Sequence, residues 1–214
     1  MRLGILRLGA LARINLSAML FVGSFAGFQF IAVLYLQQLR GWSALETGLA
    51  LLVTGIDAVL APTLTPRLVD RFGVFPVILA GALIAMLGYG LFLPIGLDSP
   101  YATGLFPTML LTGIAFALTY GPLTIAATDG IAPDEQGLAS GLLNTAIQFG
   151  IALGIAVMTA VSIAVSGAGG SRQDMLDGYR AALLVPVIAT ALAAAITAAG
   201  LFTSRAAVPA TAGG

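Results

Sequence analysis

The sequence contains no cysteine, no histidine and no lysine, and only 8% of its 214 residues are charged. Without cysteine there is no disulfide framework, thiol redox site or thiolate metal site. Without histidine the commonest metal ligand and the commonest general base are missing, and so is any Ser/His nucleophile pair. A metal site would need clustered carboxylates, which the apolar stretches lack, and no phosphate-binding loop is present. An enzyme is therefore not expected, nor a cofactor or metal. The nine cations are all Arg and are matched by nine acids. That balance gives no basic excess to argue for nucleic acid. The use of Arg alone reads as compositional bias and carries no functional weight.

What is there is apolar length. Hydrophobic residues make up 59% of the chain, and its mean hydropathy is +1.03. A soluble domain is about 25% charged. Six runs carry at most one charge each: Leu16–Leu36, Thr47–Leu64, Val74–Pro94, Tyr101–Ala127, Leu138–Val165 and Ala181–Phe202. A helix rises about 1.5 Å per residue, so roughly 20 apolar residues cross a hydrocarbon core of about 30 Å. The expected fold is all-α, with six transmembrane helices over residues 16–203 and no soluble domain. Residues 1–15 hold Arg2, Arg7 and Arg13, which interrupt any signal-peptide core. They are expected to form an interfacial amphipathic segment, with leucines in lipid and arginines at the headgroups. Residues 204–214 are expected to be a disordered cytoplasmic tail.

Six spans place both termini on one side. With the termini inside, the inner segments hold Arg2, Arg7, Arg13, Arg67, Arg71 and Arg205, and the outer ones Arg40, Arg172 and Arg180. That asymmetry supports a multi-pass plasma or inner membrane protein with both termini cytoplasmic. The third outer loop opens with a flexible Ser-Gly-Ala-Gly-Gly, and its tail from Gln173 is expected to form one helical turn. The pairs Gly23 and Gly27, Gly137 and Gly141, and Gly150 and Gly154 are spaced for close helix packing, which in any multispan bundle need not mean dimerisation.

Asp57 is the one ionisable side chain in the middle of a run. A charge there costs at least about 2.5 kcal/mol on insertion scales. It is either protonated, or faces a water-filled cavity, or meets a cation on another chain. Thr54, Asp57, Ala61 and Thr65 recur at helical spacing and form a small, polar stripe expected to face a lumen. Asp57 reads as a proton-binding or cation-recognising carboxylate, or else as a neutral acid hydrogen-bonded to a neighbouring helix. Ser140, Asn144 and Gln148 share one face of the fifth run. They either line a central pathway or tie helices together at about 0.6 kcal/mol each. Gln29, Thr119 and Tyr120 are candidates of the same kind. Pro122 is expected to kink the fourth helix. Asp134 and Glu135 are expected to complement the start of the fifth helix.

Between the second and third runs stands Pro66-Arg67-Leu68-Val69-Asp70-Arg71-Phe72-Gly73. This D-R-x-G turn resembles the signature loop of the major facilitator superfamily. Gly121–Ala156, GPLTIAATDGIAPDEQGLASGLLNTAIQFGIALGIA, is similar to the tenth-to-eleventh helix region of its fourteen-helix drug:proton antiporter branch. Phe28–Leu52, FQFIAVLYLQQLRGWSALETGLALL, is similar to the start of the same C-terminal half. The resemblance covers residues 5–203. It implies half of a helical bundle, made of two inverted three-helix repeats, that rocks against a second half in alternating access. It implies proton-coupled efflux of small amphipathic or drug-like molecules. The partners implied are the lipid bilayer, protons, the small-molecule substrate and a second half-bundle. Asp70 and Arg71, with Arg67 beside them, would latch the cytoplasmic side, and Gly73 would permit the tight turn. Two features depart from the family. Val74 and Phe75 replace the basic pair that often follows the glycine, and Asp57 stands where such proteins are usually apolar. The resemblance reaches only one half, so three arrangements stay open: a fragment, a half paired with a separately encoded half, or a self-pairing half. A non-transporting fragment or assembly partner is the alternative function.

Overall fold

The computed structural model describes residues 2–167 and 170–205, with side chains described over 9–167 and 170–199. The described residues are almost entirely helical. Eight α-helices follow in order: α1 Arg2–Leu34, α2 Ala44–Leu51, α3 Asp57–Phe72, α4 Val74–Phe92, α5 Phe106–Thr128, α6 Gln136–Ser166, α7 Arg172–Ala182 and α8 Leu184–Arg205. They build six helical stretches long and apolar enough to cross a membrane: Gly9–Leu39, Ala44–Phe72, Val74–Phe92, Tyr101–Thr128, Gln136–Ser166 and Arg172–Ala199. Each contains or overlaps one of the six apolar runs. These are spans 1 to 6.

Local chemistry sets where the helices begin and turn. Ser43 caps α2 and Ser171 caps α7. In each, the Ser Oγ accepts from the backbone N–H three residues on, and the carboxylate there, Glu46 or Asp174, accepts from the cap N–H. These reciprocal bonds satisfy donors that a helix start leaves free. Span 2 joins span 3 through Gly73 alone, at φ 87° and ψ 164°, a conformation side chains disfavour.

Four elements bear on the sequence expectation, and two of them, α7 and the start of α6, change it. The backbone of α1 runs unbroken from Arg2 through the first span; the side chains of Arg2 and Arg7 lie outside those described, as does the tail beyond Arg205. The tail of the third outer loop is not one turn but the 11-residue helix α7, because the Ser171–Asp174 box starts it and Leu176, Tyr179 and Ala182 bury one face. Glu135 stands at the N-cap of α6 but makes no side-chain cap hydrogen bond, and Asp134 lies one residue before it. Pro122 lies within α5, which runs on to Thr128.

The spans pack in a repeating order. Span 1 lies against spans 5 and 6, span 4 against spans 2 and 3, span 3 against span 6, and spans 1 and 4 touch at the centre. Exchanging spans 1, 2, 3 with spans 4, 5, 6 leaves that order unchanged, which is the signature of two inverted three-helix repeats. At the crossing of spans 1 and 5 the glycines do the work. A Cβ added to Gly23, Gly150 or Gly154 would run into the backbone of the opposite helix. Close approach of this kind maximises dispersion contacts where lipid offers no hydrophobic gain. Gly137 and Gly141, by contrast, face open space.

One end of the bundle, where α4 ends and α7 begins, is clamped by side chains, four of them on backbone carbonyls. Arg172 Nη2 donates to Leu39 O at 2.6 Å, Arg180 Nε to Ile95 O at 2.9 Å, and Arg40 Nη1 to Ser99 O at 2.5 Å. Tyr35 Oη donates to Gly96 O at 2.7 Å, and Tyr179 Oη to Gln38 Oε1 at 2.9 Å. Helix ends leave carbonyls without partners. The arginines the sequence assigns to the outer side are the groups that satisfy them here.

Candidate functional site

Burial separates the spans by role. Within the most apolar window of each, 56% of span 1 and 50% of span 4 is buried, against 17% of span 2 and 17% of span 5. The two least covered spans are those that carry Asp57 and the Ser140, Asn144, Gln148 face. Spans 3 and 6 close one side of the central pair. The other side, flanked by spans 2 and 5, is the front of the half-bundle.

Span 2 is interrupted at its middle. α2 stops at Leu51, a 3₁₀ stretch covers Leu52–Ile56, and α3 restarts at Asp57. Mid-helix 3₁₀ segments mark hinges or strained sequence. The break is where three spans meet. Gln29 of α1 donates from Nε2 to Thr54 Oγ1 at 3.3 Å. The Thr54 hydroxyl donates onward to Leu51 O at 2.6 Å. The Thr54 carbonyl lies against Gly113 of α5, with no space for a side chain between them. Asp57, half-buried, follows Thr54 by one turn. Its carboxylate makes no ion pair or hydrogen bond among the described residues, whose one ion pair is Arg180–Asp177 at 3.4 Å.

The polar stripe of span 2 does not all face outward. Thr54 is buried at the junction, and Thr65 donates to Ala117 O of α5 at 3.1 Å. These hydroxyls join span 2 to its neighbours and leave Asp57 and Ala61 half-buried between them. Thr119 is also buried, its hydroxyl donating to Ala115 O at 2.6 Å within α5. Tyr120, the next residue, is 41% exposed.

Ser140, Asn144 and Gln148 are all exposed, while Ala139, Leu143, Ile147 and Gly150 form the buried face of α6. The rest of the uncovered surface carries Leu138, Leu142, Phe149 and Leu153. At helical spacing these fall on a different face from the three polar residues. The uncovered surface of span 5 is thus divided into a polar side and an apolar side.

Arg67, Asp70, Arg71 and Gly73 are exposed at the end of α3. The Arg71 guanidinium sits over the Phe72 ring, 5.3 Å from its centroid. Asp70 and Arg71 do not pair with each other, so both are available to another segment. They are not close to the junction: Asp57 opens α3 and Asp70 stands in its last turn.

Three features lay outside the sequence reading. One is the break in span 2, for which Thr54-Gly55 inside an apolar run was the only local signal. A second is Phe25, one turn before Gln29, which meets Phe116 of α5 with ring centroids 4.5 Å apart. The third is a cavity of about 580 Å³ between the start of α1, the end of α5 and the start of α6. Leu11, Ile14, Ala127 and Leu138 are among its lining residues, with the carboxylates of Asp129 and Glu135. Of the residues singled out in the sequence, Glu135 alone lines it.

Six spans in two inverted three-helix repeats, with polar groups on the two least covered helices, define half of a membrane transporter bundle. The family model described as Major Facilitator Superfamily matches residues 2–155, and the chain belongs to that family of multi-pass membrane transporters. It is 33% identical over 143 residues to a cephamycin export protein, CmcT, of Amycolatopsis lactamdurans, a match covering 64% of this chain and 28% of that protein. It is 33% identical over 132 residues to the puromycin resistance protein pur8 of Streptomyces alboniger, covering 60% of this chain and 26% of that one. A lincomycin resistance protein of Streptomyces lincolnensis is 31% identical over 121 residues, covering 56% and 25%. The matches thus take in about a quarter of each relative's length.

Proposed function

We propose that the chain forms one half of a proton-coupled exporter of small amphipathic molecules, with Asp57 as its proton- or cation-binding group. The observation that carries this reading is the position of Asp57. It is the lone charge at the middle of a span, it is unpaired among the described residues, and it opens α3 directly after the 3₁₀ break. Intramembrane acids are costly and mark ion or substrate pathways. Broken helices at mid-membrane are a recurrent way to build such sites. The similarity to export and resistance proteins supports efflux as the direction.

In this reading a second six-helix half covers the front, encloses Asp57, Gln29, Tyr120, Ser140, Asn144 and Gln148, and rocks against this one in alternating access. That half lies on the same polypeptide, on another, or on a second copy. Both termini are cytoplasmic. The exposed Asp70 and Arg71 meet the opposite half when the inner side closes. The test is efflux of a fluorescent amphipathic cation from vesicles driven by a pH gradient. Asp57→Asn is expected to abolish driven efflux at normal expression. Unchanged efflux would sink the proposal.

A further inference from the structure

We infer that Tyr101 is a positioning residue: its hydroxyl holds helix α2, the first part of span 2, in the broken arrangement, and its release lets α2 turn about its own axis. This goes beyond the reading above and does not need Asp57 to bind a proton or a cation.

The break is a strained element held from outside. A 3₁₀ stretch draws each N–H to the carbonyl three residues back, and its poorer geometry makes runs beyond three or four residues uncommon. This one covers five, Leu52–Ile56, and holds no proline that would forbid an α-helix. Its own residues, Leu-Val-Thr-Gly-Ile, do not require a break, so the contacts around it supply the reason. In a continuous α-helix Ala50 O would accept from the Thr54 N–H. Here Tyr101 Oη donates to Ala50 O at 2.7 Å. Gln29 and Gly113 hold the other side of the break through the hydroxyl and the carbonyl of Thr54.

The two parts of span 2 are held unequally. α3 packs against α4 and α5 and is pinned by the Thr65–Ala117 bond. The near neighbours of α2 are mainly the segments that flank it along the chain: the break, and Tyr35–Leu39 at the end of span 1. Thr47 and Ala50 are its buried residues, while Leu45 and Leu49 are exposed. Tyr101 reaches α2 at both ends. Its ring meets that of Trp42, just before the Ser43 cap, with centroids 5.9 Å apart, and its hydroxyl takes Ala50 O. Tyr101 itself stands on a fixed post. It follows directly on the loop whose carbonyls at Ile95, Gly96 and Ser99 are bound by Arg180, Tyr35 and Arg40.

The size of the motion follows from helix geometry. A 3₁₀-helix has 3.0 residues per turn and rises about 2.0 Å per residue, against 3.6 and about 1.5 Å for an α-helix. Converting the five residues of the break to α-helix therefore rotates one part of span 2 against the other by about 100° and shortens it by about 2.5 Å. Because α3 is pinned, α2 is the part that turns. The turn carries Ala50 O away from Tyr101 and gives it the Thr54 N–H instead. It swings Leu45 and Leu49 to a new direction and leaves Asp57, on α3, where it is. Tyr101 thus chooses between two faces that α2 offers to whatever covers the front of the half-bundle.

The experiment measures the turn as a distance. The chain has no native cysteine, so two nitroxide labels can be placed at Leu49→Cys on α2 and at Leu87→Cys on the exposed side of α4. Pulsed electron double resonance is recorded on the full chain in lipid nanodiscs, with any co-purifying half retained. Tyr101→Phe keeps the ring contacts and removes only the hydroxyl. It is expected to raise the population of a second distance, several ångströms from the first, by about fivefold, the worth of one hydrogen bond. Thr54→Val removes the hydroxyl that bonds Leu51 O and Gln29, and is expected to shift the distribution the same way. Thr63→Val, at an exposed threonine that bonds Val59 O within α3, is expected to leave it unchanged. An unchanged distribution in Tyr101→Phe would overturn the inference, and so would equal shifts in all three variants. A lower unfolding temperature for Tyr101→Phe with the parent's distances would also overturn it, since the bond would then be structural only.

Discussion

The backbone of Gly154 lies directly against that of Gly23, where span 5 crosses span 1. Gly150 meets the backbone at Met19 one turn away, so the crossing is a run of contacts with no room for side chains. Gly154→Val is therefore expected to push the helices apart and cost roughly 1–3 kcal/mol or more, as overpacking does. Gly141→Ala, a change on the same helix with open space around it, is expected to cost nothing and to add up to about 1 kcal/mol of helix preference. Thermal unfolding in detergent, followed by size-exclusion chromatography, distinguishes the two. An equal effect would mean the crossing is not close-packed.

The carbonyl clamp gives a second expectation. Arg172 Nη2 satisfies Leu39 O, at the end of span 1, from span 6. Arg172→Met should cost about 1 kcal/mol, less than the roughly 1.5–3 kcal/mol of a charge-assisted bond because the side chain is exposed. Arg67→Met, at an exposed guanidinium that makes no hydrogen bond among the described residues, should cost nothing measurable. Equal unfolding temperatures for the two variants would contradict the clamp.

Gly73 joins α3 to α4 in a conformation that is almost confined to glycine. Gly73→Ala is expected to cost about 1–3 kcal/mol. Its Cβ has ample space, the nearest atom being Pro76 Cδ at 3.9 Å, so the penalty is conformational and not steric. A protein as stable as the parent, by unfolding temperature, would contradict the turn geometry.

Gly55 lies in the 3₁₀ break with nothing near the place a Cβ would take. Gly55→Ala adds up to about 1 kcal/mol of helix preference. If span 2 bends there during transport, the variant should unfold at a higher temperature and transport more slowly. Faster or unchanged efflux would argue against bending at this point.

The six spans were legible because lipid demands long apolar runs, and that demand is written in composition alone. The D-R-x-G turn was legible because only glycine suits the conformation at residue 73. The span ends were less so: span 6 begins at Arg172, within a stretch too polar to count as apolar, since α7 buries only one face. The break in span 2 left a faint trace, because 3₁₀ and α-helix share the same residues. Which threonines face inward could not be read at all. Thr54, Thr65 and Thr119 look like pore residues by spacing, yet their hydroxyls bond backbone carbonyls or, for Thr54, also a neighbouring amide. The Phe25–Phe116 contact joins distant parts of the chain and exists only once spans 1 and 4 meet.

The measurement that tests the account most directly is thiol accessibility on the front of span 5. The chain has no native cysteine, so each introduced one reports on a single position. In the proposed transporter the polar face of span 5 borders a water-filled path, so Asn144→Cys and Gln148→Cys are expected to react with a hydrophilic maleimide in intact membranes. Phe149→Cys and Leu153→Cys, on the apolar face, are expected to stay unlabelled. If all four label alike, or none does, the front of this half-bundle does not border a water-filled path, and the transporter reading built on it is contradicted.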